Sequence, residues 1–122
     1  MNGDILQFFD GQPQALALYL KLEEALAQRV PGLTVRAAAT QISFYARLMF
    51  ACVSLPRKKA ERGGLRLSFV QPAPLDSPRI EQAVFIRPGV YTHHLLLTKA
   101  EQIDGELLGW LDAARWREAN HR

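Results

Sequence analysis

Two adjacent histidines, a set of polar side chains on alternate residues and a short basic run are the parts of this 122-residue chain that could do chemistry. His93 and His94 fall in an extended stretch, where neighbours point to opposite faces, so the pair cannot chelate one metal ion together. No carboxylate stands at ligand spacing from either one, and no metal site is expected. One imidazole could instead face a polar cleft as a pH-sensitive hydrogen-bonding group. The simpler reading, and the favoured one, packs one histidine beside the last helix and leaves the other on the sheet surface.

Gln41, Ser43 and Tyr45 alternate with the apolar Ile42 and Phe44. Such a polar row is ordinarily the wet face of a sheet. It becomes an anion site if Arg36 from the preceding strand and Arg79 from a later loop converge on it, since guanidinium groups match carboxylate and phosphate oxygens. Arg36, Gln41, Ser43, Arg79, His93 and His94 are therefore the candidate ligand-binding residues. Cys52 lies between Ala51 and Val53, without the cations or helix N-terminus that would lower a thiol pKa, and reads as a buried, inert thiol. Serine-hydrolase, phosphate-loop and zinc motifs are absent, Gly63-Gly64 alone marks only a turn, and no catalytic residue or cofactor is expected. The basic run Arg57-Lys58-Lys59, with Arg62 and Arg66 close behind, offers a separate chemistry, phosphate contact with a nucleic acid. No aromatic residue stands beside it to stack a base. Arg115, Arg117 and Arg122 form a looser second group.

The elements that must position these residues follow from periodicity. Asp10-Gly11-Gln12-Pro13 starts a helix, because proline suits its first turn. Ala15, Leu18, Tyr19, Leu22, Leu26 and Val30 form one apolar stripe opposite Gln14, Lys21, Glu24 and Gln28, and Pro31-Gly32 ends it. Alternation then predicts strands over 33–36 and 41–45. The nearly continuous apolar run Leu48–Leu55 predicts a central strand covered on both faces, and Leu65–Phe69 alternates again. The charged segment 56–64 reads as a hairpin or longer connection. Pro72, Pro74 and Pro78 stiffen the next one. Strands at 84–86 and 90–97 flank a turn at Pro88-Gly89. Thr98-Lys99-Ala100-Glu101 matches a capping box ahead of a final helix with Ile103, Leu107, Trp110, Leu111 and Ala114 on one stripe. Helix, strands, helix predicts α+β: a single, mostly antiparallel sheet of about five to six strands with an N-terminal and a C-terminal helix packed against it.

Composition sets the frame. Hydrophobic residues at 48% and charged residues at 22% are those of a folded globular chain, and the length suits one domain over 1–122 with its core at about 8–118. No apolar run approaches the roughly 18–20 residues of a membrane span. Asp4 stands where a secretory signal would carry a base, and a single cysteine precludes an internal disulfide. A cytoplasmic protein without membrane contact is expected. The net charge of +3 is only mildly basic, so the position of the charges matters more than their sum.

Phe8/Phe9 with Gly11, the Thr40–Tyr45 strand, Phe50-Ala51, Ser77-Pro78-Arg79-Ile80, Pro88-Gly89, His93-His94 and Asp104 with Trp110-Leu111 occur here in an order and spacing that resemble an uncharacterised bacterial domain of the function-unknown type. That domain occurs alone or at the C-terminal end of chains labelled "predicted transport protein". The likeness runs from about Phe8 to Arg117. It departs at Ala38-Ala39, where relatives often carry a lysine, and at Arg115, which follows Ala114 where relatives tend to have tyrosine. A ligand role for a lysine at the first spot is therefore not carried over. The layout is also similar, more loosely, to small α+β bacterial proteins of the YjbR type, in which a DNA-binding role has been proposed. The expected function is a non-enzymatic binding or interaction module for an unidentified small molecule or protein, with a polar recess near Gln41, Arg79, His93 and His94. The alternative is a nucleic-acid-associated domain contacting phosphates through Arg57, Lys58, Lys59 and Arg62.

Overall fold

The structure, a computed structural model, describes residues 3–120. Its helices are α1 (Gly3–Phe8), α2 (Pro13–Arg29) and α3 (Gly105–Asn120). The strands are β1 (Thr34–Ala37), β2 (Ile42–Tyr45), β3 (Met49–Ser54), β4 (Leu65–Gln71), β5 (Gln82–Arg87) and β6 (Val90–Leu97). They form one six-stranded antiparallel sheet in the order β1-β2-β3-β4-β6-β5. The last strand in the chain therefore enters between β4 and β5. The expected α+β architecture is the one observed.

The core lies between one face of the sheet and the helices. Ile42, Phe44, Val53, Leu65, Leu67, Phe69, Leu95 and Leu97 face it from the strands. Ala15, Leu18, Tyr19, Leu22 and Leu26 face it from α2, as do Leu107, Leu111 and Ala114 from α3. A chain of rings runs through one half, with centroids 4.9 Å apart for Phe8–Phe9, 5.2 Å for Phe9–Tyr19, 6.0 Å for Tyr19–Phe44 and 6.5 Å for Phe44–Phe50. Tyr19 keeps its hydroxyl satisfied by donating to Glu23 Oε1 at 2.9 Å, and burial together with that carboxylate pushes the phenol pKa well up. Among the described residues no α-helix packs on the other, open face of the sheet.

Three expectations change. The run Leu48–Leu55 is not covered on both faces: Leu48 and Met49 are exposed, and Cys52 and Ser54 lie half-buried on the open face. The register between β2 and β3 slips by the tip of their hairpin, pairing Phe44 with Ala51 but Tyr45 with Met49. That bulge turns both Phe50 and Ala51 into the core, so the alternation of a one-sided strand is lost at this point. The capping box at Thr98–Glu101 is replaced by a 3-10 turn, Ala100–Gln102, in which Gln102 Oε1 accepts from the N–H groups of Thr98 (2.7 Å) and Lys99 (3.1 Å). The helix proper begins at Gly105, capped by Asp104 Oδ1 on the N–H of Leu107 at 3.0 Å. Finally, α1 has no counterpart in the periodicity; its six residues bury only Ile5.

Candidate binding site on the open sheet face

Strand register assembles a line of side chains that sequence order scatters. Arg36 pairs with Ser43, Ser43 with Cys52, Cys52 with Ser68, Ser68 with His94, and His94 with Gln82. Directly paired residues share a face, so this row crosses the sheet from β1 to β5 on the open side. Its members are tied locally. Gln41 Nε2 donates to Ser43 Oγ at 3.0 Å, Arg36 lies over the Tyr45 ring at 5.4 Å, and Ser68 Oγ hydrogen-bonds His94 Nδ1 at 2.7 Å. Burial pushes the Cys52 thiol pKa up, only partly offset by the Ser68 hydroxyl. The thiol is half-buried on this face rather than enclosed in the core, and its raised pKa fits the inert reading. Burial, then the charge of Arg66, holds His94 below the usual histidine range.

Beside this row Ser54 pairs with Arg66 and Arg66 with Leu96. Arg66 is gripped between two carboxylates, Glu81 at 2.8 Å and Glu61 at 3.6 Å. Ser54, Glu61, Arg66 and Glu81, with Leu55, Arg57, Lys58 and Gln82, line a recess of about 720 Å³. The segment after β3 walls it and is held from behind. Its 3-10 turn, Lys59–Glu61, closes on N–H bonds from Glu61 to Lys58 O (3.0 Å) and from Arg62 to Lys59 O (3.2 Å). Arg62 Nη2 donates to Gly11 O at 3.3 Å. Gly63 adopts φ +93°, a left-handed conformation that favours glycine, and its Cα faces the Gln14 side chain at the start of α2. Arg57, Lys58 and Lys59 are exposed and, among the described residues, form no side-chain hydrogen bond or ion pair.

The candidate ligand residues divide between the two faces. Arg36, Gln41, Ser43 and His94 share the open face, although none of them lines the recess. His93 and Arg79 lie on the helix side and cannot join them. His93 is wholly buried, its ring stacked 5.5 Å from Phe69; Nε2 accepts from the N–H of Leu75 at 2.9 Å, and Nδ1 lies 3.1 Å from Tyr91 O. Its pKa is lowered by burial, against a smaller opposing pull from the Tyr91 carbonyl. Arg79 is not a free loop arginine. It bonds Asp104 at 3.0 and 3.2 Å, Glu106 at 2.9 Å and Gln102 O at 2.6 Å, and lies 5.5 Å over Trp110. Partial burial works against its charge, but Asp104 and Glu106 outweigh it and hold the guanidinium pKa up. The recess expected near Gln41, Arg79 and the histidines is thus not formed by those residues. Of the basic run, Arg57 and Lys58 line the recess and Arg62 is turned toward α2. In the looser group Arg115 pairs with Asp112 at 2.9 Å and stacks on Trp116 at 4.5 Å; Arg122 and the side chain of Arg117 lie outside the described residues.

Ser54, Glu61, Glu81 and Gln82 are not singled out by the sequence, and Arg66 figures there only as a neighbour of the basic run. Only the alternation of Leu65–Phe69 hinted at them, by placing Arg66 and Ser68 on one side; Glu81 joins through β6, a partner that local pattern does not name. Among the described residues no group of three or more His, Cys, Asp or Glu side chains could hold a metal ion, and no helix is long and apolar enough to cross a membrane.

A family model described as "Domain of unknown function (DUF5655)" matches residues 5–115. The chain belongs to this family. The match takes in every strand and both long helices as far as Arg115, so sheet and recess lie wholly within the DUF5655 domain. No curated protein and no solved structure matches the chain.

Proposed function

We propose that this DUF5655 domain is a non-enzymatic binding module that takes a small anionic ligand, a carboxylate or phosphate compound, into the open-face recess. One observation carries the reading. Arg66 is already neutralised by Glu61 and Glu81, whereas Arg57 and Lys58 stand at the same recess without a counter-ion among the described residues. Cations so placed gain strong charge-assisted hydrogen bonds from an incoming anion, and Ser54 and Gln82 add neutral polar groups for orientation. Against a hydrolytic role for the Ser68–His94 pair, interior strand N–H groups are committed to the ladder, leaving no obvious donors for a developing oxyanion. A cytoplasmic setting, in keeping with a lone cysteine that needs no oxidising compartment, is part of the same proposal.

Calorimetric titration with inorganic phosphate, sugar phosphates and dicarboxylates tests it. Arg57→Ala and Lys58→Ala should each weaken the best ligand about tenfold or more, the equivalent of roughly 1.4 kcal/mol or above for one lost contact. A ligand indifferent to both substitutions would overturn the reading.

A second reading rests on the same unpaired Arg57, Lys58 and Lys59, which could instead meet successive phosphates of a duplex. Three such contacts give a slope of log affinity against log salt of about −2.7, at roughly −0.9 each. Lys58→Ala with Lys59→Ala should flatten it to about −0.9. A salt-independent affinity, or none, leaves only the small-anion reading.

A further inference from the structure

The two edges of the sheet differ in how they are guarded. β1 is four residues long, carries exposed Arg36 in its middle and has α1 packed beside it. Shortness, charge and cover are the usual defences of an edge strand. β5 has none of them along most of its length. Between Glu81 and Arg87 it reads Gln82-Ala83-Val84-Phe85-Ile86, without a charge or a proline, and Phe85 and Ile86 are 58% and 50% exposed. Its only irregularity is the register slip against β6 between Phe85 and Arg87, at the strand's end, so Gln82–Phe85 stays a regular edge.

We propose that β5 is a self-association edge, pairing antiparallel with β5 of a second copy about a two-fold axis at Val84 to continue the sheet across both molecules. The sequence is self-complementary about that axis in size and in charge. Ala83 comes opposite Phe85 of the partner subunit, a small side chain facing a large one, and Phe85 meets Ala83 of the partner subunit in return. Val84 meets its own copy, as an isologous contact requires. Glu81 comes opposite Arg87 of the partner subunit at each end. Arg87 pairs with Val90 across the slip, which turns it toward the open face, where Glu81 already reaches Arg66. Glu81, Gln82 and the recess they line then lie beside the junction, and the partner's Arg87 adds a cation at its rim. The Phe85 ring, set edge-on against Tyr91 at 5.6 Å, is already held in place to receive the second strand.

Sedimentation equilibrium over a wide concentration range tests the proposal. The mass should rise with concentration toward about twice that of the 13.7 kDa chain. Phe85→Lys should leave a monomer whose thermal melt and circular dichroism match those of the unsubstituted chain at low concentration. Ile86→Lys repeats the test at a second exposed position, should Phe85→Lys disturb the fold. Arg87→Glu should weaken association about tenfold, and Glu81→Arg added to it should restore most of the loss, because the charge pair is rebuilt in reverse. A chain that stays monomeric at every concentration overturns the proposal, as does a dimer indifferent to both lysine substitutions.

Discussion

His93 and His94 are one peptide bond apart, yet the pleat sends them into different chemistries. His93 sits in the core with both ring nitrogens engaged, one by the N–H of Leu75 and the other by the carbonyl of Tyr91. An imidazole that accepts from an N–H is neutral, and burial lowers its pKa from the ordinary 6.5. Between that lowered value and 6.5 the unfolded chain holds a proton that the folded chain does not. Stability is therefore full above about pH 6.5 and falls as the pH drops through it. His94, shifted in the same direction, adds to the slope. Denaturant unfolding at pH 7.5 and pH 5.5 should show the loss. His93→Phe keeps the stack on Phe69 but strands the Leu75 N–H, so it should cost about 1–3 kcal/mol at pH 7.5 and flatten the pH dependence. An equally steep profile in His93→Phe would mean that His93 does not carry the effect. That the two rings face opposite ways is legible from extended geometry alone. Which of them is buried is not, because Leu95, Leu96 and Leu97 make both faces of β6 apolar, and the core face shows only in its pairing, with Phe69 opposite His93.

At the scale of elements, the junction between that connection and α3 is where expectation and structure part furthest. An arginine among prolines looks dispensable, but Arg79 ties the connection to the start of α3 through Asp104, Glu106, Gln102 O and the face of Trp110. Each exposed ion pair contributes less than about 1 kcal/mol and the cation–π contact roughly 0.5–1 kcal/mol. Arg79→Ala should accordingly cost about 1–2 kcal/mol, measured by denaturant unfolding. Asp104→Ala removes the α3 cap as well and should cost about 1 kcal/mol from that alone; a loss near zero for both would show that the junction contributes nothing. Trp110, stacked 6.1 Å from Phe69 and only partly buried, is the other anchor. Its truncation to alanine should cost about 3 kcal/mol, the low end for a large buried aromatic. Periodicity finds α2 and β4 because each has one buried side uninterrupted by irregularity; β4 alternates buried and half-buried residues from Leu65 to Gln71 without a break. It misread β3 because a bulge brings two successive residues to the core. It misplaced the start of α3 because Gln102, one residue beyond Glu101, makes the reciprocal contact.

For the whole molecule, β4 and β6 share the longest ladder, from Leu65 opposite Leu97 to Gln71 opposite Tyr91, and each has a strand on its other side. Amide exchange should be slowest there and faster in β1, which has one neighbour and four residues; protection of β1 equal to that of β4 would contradict this ranking. The same topology explains why the recess was hidden in the sequence. Its residues come from the end of β3, the following turn, β4 and the start of β5, and in the order β4-β6-β5 it is Arg66, reaching Glu81 past β6, that brings the last of these to the first. That order also bears on how the chain is made, since synthesis delivers β5 before the strand that joins it to the rest. Until β6 emerges, β4 has a free edge and β5 has no neighbour, and both are open to pairing in the wrong register. Pro72, Pro74 and Pro78 stand between them, and they stiffen the connection and withhold N–H groups from it, which disfavours the tight hairpin that would seat β5 directly beside β4. The proline-rich connection thus favours leaving one strand's width beside β4 for β6, and Pro88-Gly89, with Gly89 at φ +77°, turns β6 back along β5.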